Sequence, residues 1–220
     1  MGVAVFGVDT YVPLYVTGGH GGGPKAAAAV VTPVLLTWAL VNCVTASLLV
    51  RWGFRVMTVL GSVLVVVAFG GLVVCSHQGS SHVVLTLVLA LAGLGFGPMS
   101  MSYLLAAQGA VRWQQRGIVT GTLQFSRTMG GAVGIQLLLM LFQHHMSRGL
   151  RGGAVISIHG GVGSLDLSNP ANQRLVASSL VWVFAAMLAV AVVGVLVSMM
   201  MADQEVEPVT TVQAIEAGVA

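Results

Sequence analysis

Two ionisable side chains, Asp9 and Arg127, stand inside long apolar runs of this 220-residue chain. A charge in the hydrocarbon of a bilayer costs on the order of several kcal/mol unless it faces water or a partner, so such residues are functional candidates by default. A carboxyl group at that depth can take up and release a proton or recognise a cation. A guanidinium can hold an anion or balance the carboxylate, and the structural alternative is that Asp9 and Arg127 pair only with each other. Asp9 lies about eight residues, or roughly 12 Å, before the outer end of its run. Arg127 lies about ten residues, or roughly 15 Å, into its own run, which is too deep for comfortable snorkelling. Both are expected near the midplane. Gln124, Gln108 and Tyr11, with Gln136, Tyr15 and Asn42, could line the same cavity, although each taken singly is more often a packing or interhelical hydrogen-bonding residue.

The elements that must carry these residues are set by composition. Hydrophobic residues make up 56% of the chain, charged residues 7%, and the mean hydropathy is +0.95, a balance that excludes a soluble domain with a polar surface. Only helices or closed barrels satisfy their own backbone in lipid, and about 20 apolar residues let a helix cross. Five runs qualify, 26–50, 54–75, 83–107, 117–143 and 175–201, each apolar all round rather than alternating. A sixth, 2–16, is shorter. It follows Met1 directly, lacks a basic leader, contains Asp9 and meets Pro13 before a glycine-rich turn, so it reads as a membrane helix rather than a signal peptide. Its beginning is expected to be missing, which would make the chain a fragment.

Most connections are short. Residues 144–174 form the one long connection, read as a glycine-rich, solvated external loop, and 202–220 read as an acidic, disordered tail. Arg51, Arg55, Arg112 and Arg116 fall in or beside short connections on one side, against Lys25 alone on the other. The arginine side is therefore expected to be cytoplasmic, with both termini inside a multi-pass protein of the cell membrane.

The net charge of +3 arises from those arginines, without the basic-aromatic stripe of a nucleic-acid binder. His20, His77, His82, His144, His145 and His159 fall in or beside expected outer connections, without metal-ligand spacing and without a nucleophile held beside a base. Neither a metal, a cofactor nor an enzyme is expected. Cys43 and Cys75 lie inside runs, where thiols act as small hydrophobes.

Glycine clusters complete the pattern: Gly93, Gly95 and Gly97 before Pro98, and Gly117, Gly121, Gly130 and Gly134 in the run 117–143. Without Cβ atoms, helices approach backbone to backbone in lipid, and Pro98 removes a backbone donor and favours a bend.

Three stretches carry a family resemblance. They are Tyr11-Val12-Pro13-Leu14-Tyr15 closing the first helix, Arg51-Trp52-Gly53-Phe54-Arg55 with its Arg51, Gly53 and Arg55 in a cytoplasmic loop pattern, and a long third stretch. The third runs from Gln108 through Arg116-Gly117 and Gly121 to Gln124-Phe125-Ser126-Arg127 and Gly130-Gly131-Ala132-Val133-Gly134. Together they resemble the C-terminal half of a major facilitator superfamily transporter, in the drug:proton antiporter branch of multidrug exporters. The resemblance implies six transmembrane helices in two inverted three-helix repeats, with substrate bound at the interface to an N-terminal half. It implies proton-coupled export of small amphipathic compounds, with Asp9 as the protonation or cation-recognition site and Arg127 as its electrostatic partner. The expected partners are the lipid bilayer, a small-molecule substrate, protons, and either a missing N-terminal half or a second copy of the chain. The alternative is a non-transporting membrane assembly or sensory subunit.

Overall fold

The computed structural model describes residues 1–19, 23–78, 82–149 and 170–200, and their regular structure is entirely helical. Helix α1 is Gly2–Leu14 and continues into a π-helical turn, Tyr15–Gly19. A helical stretch, Pro24–Gln78, is broken at Gly53 into α2 (Pro24–Leu49) and α3 (Arg51–Gln78). Helix α4 is His82–Gly109, α5 is Arg116–Gly149 after a single 3-10 turn at Trp113–Gln115, and α6 is Pro170–Met199. Among the described residues five helices, α2 to α6, are long and apolar enough to cross a membrane. Helix α1 has 13 α-helical residues, about 20 Å of rise, which falls short of a hydrocarbon core of about 30 Å.

Local chemistry sets the boundaries. Gly53 adopts φ 77° and ψ 165°, a region essentially closed to residues with a side chain, and this turns α2 into α3 within a residue or two. At the end of α1, Pro13 has no N–H to offer the carbonyl of Asp9, and the chain widens into the π turn. Thr17 then donates its hydroxyl to the Pro13 carbonyl at 2.9 Å. The helical path therefore runs to Gly19 rather than ending at 16, as the glycines had suggested.

The connection expected over 144–174 is shorter at both ends. Helix α5 continues to Gly149, and Pro170 opens α6, a position where its missing N–H costs nothing. The reason is tertiary: Met146 is buried, and the His145 ring stacks on Trp182 of α6 at 4.9 Å, so the last turns of α5 have something to pack on. His144 and His145 are thus helical residues, not loop residues. Residues 150–169 and the tail 202–220 lie outside the described residues.

Helix α4 is the centre of the packing, against α2 on one side and α3 on the other. Gly93 and Gly97, four residues apart, meet Val34, Thr37 and Val41 of α2, while Gly95 meets Gly61 and Val65 of α3. Phe96 lies between the same two helices, its ring 5.9 Å from Trp38 and 6.4 Å from Phe69. Helix α6 packs on α3 through a chain of hydroxyls, Tyr103 of α4 to Ser198 of α6 to Ser62 of α3, both steps 3.0 Å. At its end the Arg55 guanidinium donates to the Met199 carbonyl at 3.2 Å, occupying one of the last carbonyls of α6.

Helix α1 lies along α5. Gly2 meets the Arg127 carbonyl and Gly131, Phe6 meets Gly131, and Val3 meets Gly134. Of the glycines expected to pack or bend, Gly93, Gly95, Gly97 and Gly134 do make close approaches. Gly117, Gly121 and Gly130 do not: a Cβ built on any of them would find nothing within 4 Å. They stand on an open side of α5, near the exposed Phe125, Met129, Val133 and Met140, and α2 has a comparable open apolar face at Leu36, Leu40 and Val44.

Candidate functional site

Arg127 turns inward where α5 crosses the start of α1. Its guanidinium carbon stands 5.1 Å from the centre of the Trp38 ring of α2, an arrangement that attracts a cation to the electron-rich aromatic face. Trp38 is itself held. Its indole N–H donates to the Ser100 hydroxyl of α4 at 3.2 Å, and that hydroxyl lies 3.0 Å from the Gly97 carbonyl and 3.4 Å from Asn42 Oδ1. Ser100 has one proton, so it serves one of these acceptors at a time, and the shorter geometry favours Gly97. Asn42 follows Trp38 by four residues and therefore shares its face of α2.

These groups border a cavity of about 550 Å³, within the size range of small-molecule sites, lined also by Tyr103 and Gln124. The wall is mixed: aromatic and aliphatic surface, the neutral polar groups of Asn42, Ser100, Tyr103, Gln124 and Ser126, and the Arg127 guanidinium as its charged side chain. Such a wall suits a ligand with an apolar body and a polar or charged end.

The residues expected to work together divide into two groups. Arg127 and Gln124 line the cavity, as does Asn42. Asp9 does not. The contacts between α1 and α5 set Gly2 beside Arg127, and Asp9 is seven residues further along α1, about 10 Å along the axis. Asp9 is exposed on the surface of α1, and no ion pair within 4.0 Å joins it to Arg127, although the two charges are near enough to act on each other. The expectation of a tight pair in a common cavity is corrected by this register.

Tyr11 is also elsewhere: it is buried in the core, and its hydroxyl donates to the Ile135 carbonyl of α5 at 3.0 Å, fastening α1 to α5. Gln108 donates its amide to Thr120 Oγ1 at 2.8 Å, tying the end of α4 to the start of α5. Arg51 is exposed beside the Gly53 break, and Arg55 holds the end of α6. Trp38, Ser100 and Tyr103 were not singled out in the sequence. One signal was available for the first: an indole four residues before a midspan asparagine.

Comparison with known proteins gives this arrangement a family. A profile described as Major Facilitator Superfamily matches residues 1–135, more than half of the chain. The chain belongs to the Major Facilitator Superfamily. Among curated superfamily relatives it is similar to the multidrug transporter protein MdtP of Bacillus subtilis, 28% identical over 139 residues, covering 63% of this chain and 25% of that protein. It is similar to citrate exporter 1 of Yarrowia lipolytica, 26% identical over 152 residues, 69% of this chain and 22% of that protein. An uncharacterized MFS-type transporter of Mycobacterium tuberculosis is 26% identical over 216 residues, 92% of this chain and 31% of the relative. The chain therefore spans between a fifth and a third of the length of these relatives. Membership, together with five described helices long and apolar enough to cross a membrane, makes the chain a multi-pass membrane protein of a transporter family.

Proposed function

We propose that the chain acts as the C-terminal half of a proton-coupled exporter of small amphipathic compounds, in the drug:proton antiporter branch of the superfamily. The observation that carries this reading is the cavity between α2, α4 and α5, where Arg127 and Trp38 meet a hydrogen-bonded Ser100 and Asn42. One named relative is a multidrug transporter and another a citrate exporter, and the second supports outward movement. The open apolar faces of α2 and α5 are the surfaces on which an N-terminal half or a second copy would close the cavity. In this reading α1 to α3 and α4 to α6 are inverted repeats, α1 is a sixth span, both termini are cytoplasmic, and the membrane is the cell membrane.

Asp9 is the one acidic side chain among the described residues, and it is the proposed proton-carrying group. In this reading, with Asp9 apart from the cavity, coupling runs through the field it exerts on Arg127 and through the α1–α5 contact, rather than through direct competition with substrate. The test is transport into everted membrane vesicles under an imposed pH gradient, with the protein expressed as its gene encodes it. Asp9→Asn should abolish proton-driven accumulation while retaining part of the substrate binding. Undiminished transport with an unchanged pH profile would return Asp9 to a structural role.

A further inference from the structure

From the charges around the cavity we infer that its ligand is an organic anion, with a carboxylate or similar oxyanion seated on Arg127 and an apolar body against the aromatic and aliphatic wall. This rests on the transport reading above and gives that site a substrate class.

Arg127 offers five N–H donors in a rigid planar fork, the geometry that matches two carboxylate oxygens at once. Among the described residues those donors have no hydrogen-bond acceptor and no carboxylate within 4.0 Å; the guanidinium is held only by its face on Trp38. A ring contact of that kind positions the group without using the N–H edge. The fork is thus prepared for an acceptor that the described chain does not supply.

The rest of the wall agrees. Trp38 is held by its indole N–H bond to Ser100, and Gln124 lies one turn before Arg127 on the same helix, adding an amide donor beside the fork. The one described acid, Asp9, lies outside the cavity, so no described carboxylate competes with an incoming anion or invites a cation. In surroundings shielded from water, a charge-assisted pair of this kind outweighs a neutral hydrogen bond.

Two sources could provide the anion: a soluble compound, or the headgroup of an acidic lipid reaching in between α2 and α5. The experiment uses the purified protein, expressed as its gene encodes it, in phosphatidylcholine nanodiscs, with radiolabelled 2-naphthoate read by scintillation proximity. Unlabelled 2-naphthoate should displace the label at concentrations about tenfold or more below those needed for 2-naphthamide or 2-naphthylmethylammonium. Arg127→Gln should erase that preference, Arg127→Lys should retain part of it, and Arg112→Gln, outside the cavity, should leave it unchanged. Size-exclusion profiles matching the parent show that the variants are folded, and Arg127→Lys carries the comparison if Arg127→Gln is not.

Replacing part of the phosphatidylcholine by phosphatidylglycerol separates the sources. Unchanged naphthoate affinity assigns the site to a soluble anion; competitive weakening assigns it to a lipid headgroup. Absence of saturable naphthoate binding, or equal binding of the three probes, would overturn the inference and mean that Arg127 is neutralised by the protein. Anion selectivity without any measurable export would instead overturn the transport reading and leave the anion site standing. Export of neutral amphiphiles without anion selectivity would do the reverse.

Discussion

Gly61 of α3 and Gly95 of α4 cross backbone to backbone. A Cβ on Gly61 would stand 2.6 Å from the Gly95 carbonyl oxygen, and one on Gly95 would stand 2.7 Å from the Gly61 carbonyl oxygen. Because each blocks the other reciprocally, the crossing fixes how α4 lies on α3, and hence where Gly93 and Gly97 meet α2 and where Ser100 can reach Trp38.

Gly95→Leu is expected to lower stability by about 1–3 kcal/mol, since the carbonyl opposite cannot yield as a side chain would. Gly70→Ala, which meets nothing within 4 Å, should be tolerated. Thermal denaturation of both variants in detergent, followed by the amount remaining monodisperse, separates them. Equal melting temperatures would contradict the crossing.

At the turn between α2 and α3, Gly53→Ala should cost about 1–3 kcal/mol, because its φ of 77° with ψ of 165° is strained for any residue with a Cβ. The defect should appear in melting temperature and expression, without altering which probes bind in the cavity. A melting temperature unchanged in Gly53→Ala would show that the break is not held at that φ.

Tyr11→Phe removes the hydroxyl that donates to the Ile135 carbonyl and should destabilise by about 1 kcal/mol. Its effect is expected in stability alone. A changed pH profile of export, with stability intact, would place Tyr11 in the coupling machinery instead.

The open glycines of α5 report on what covers that helix. If α5 faces another half of the transporter, Gly121→Leu should reduce export several-fold while leaving the melting behaviour of the isolated chain close to the parent, since nothing here lies within 4 Å of that position. Full export activity in Gly121→Leu would leave this face to lipid.

Topology is tested by a single cysteine at position 114 or 157 in a background with Cys43 and Cys75 replaced by alanine. An impermeant maleimide applied to intact cells should label Ser157→Cys and miss Gln114→Cys, following the arginine bias of the short connections. The opposite pattern would invert the orientation.

Composition and run length were enough to establish a helical membrane protein, because lipid admits so few ways to satisfy a backbone; the five long runs became α2 to α6 with small shifts at their ends. The order of Gln108, Arg116, Gly117, Gln124, Arg127 and the following glycines was enough to suggest the family, since it depends only on spacing along one segment. The sequence could not say which glycines meet a neighbour: Gly134 packs on Val3 while Gly130, four residues before it, is open, and that difference is created by where α1 crosses α5. Nor could it show that Asp9 and Arg127 stand apart. Depth counted along each helix placed both near the midplane, whereas the register of α1 on α5, set by Gly2, Phe6 and Gly131, offsets them by about two turns and brings Trp38 to Arg127 instead. Spacing within a helix is written in the chain, but the offset between two helices is decided by which small residues let their backbones touch.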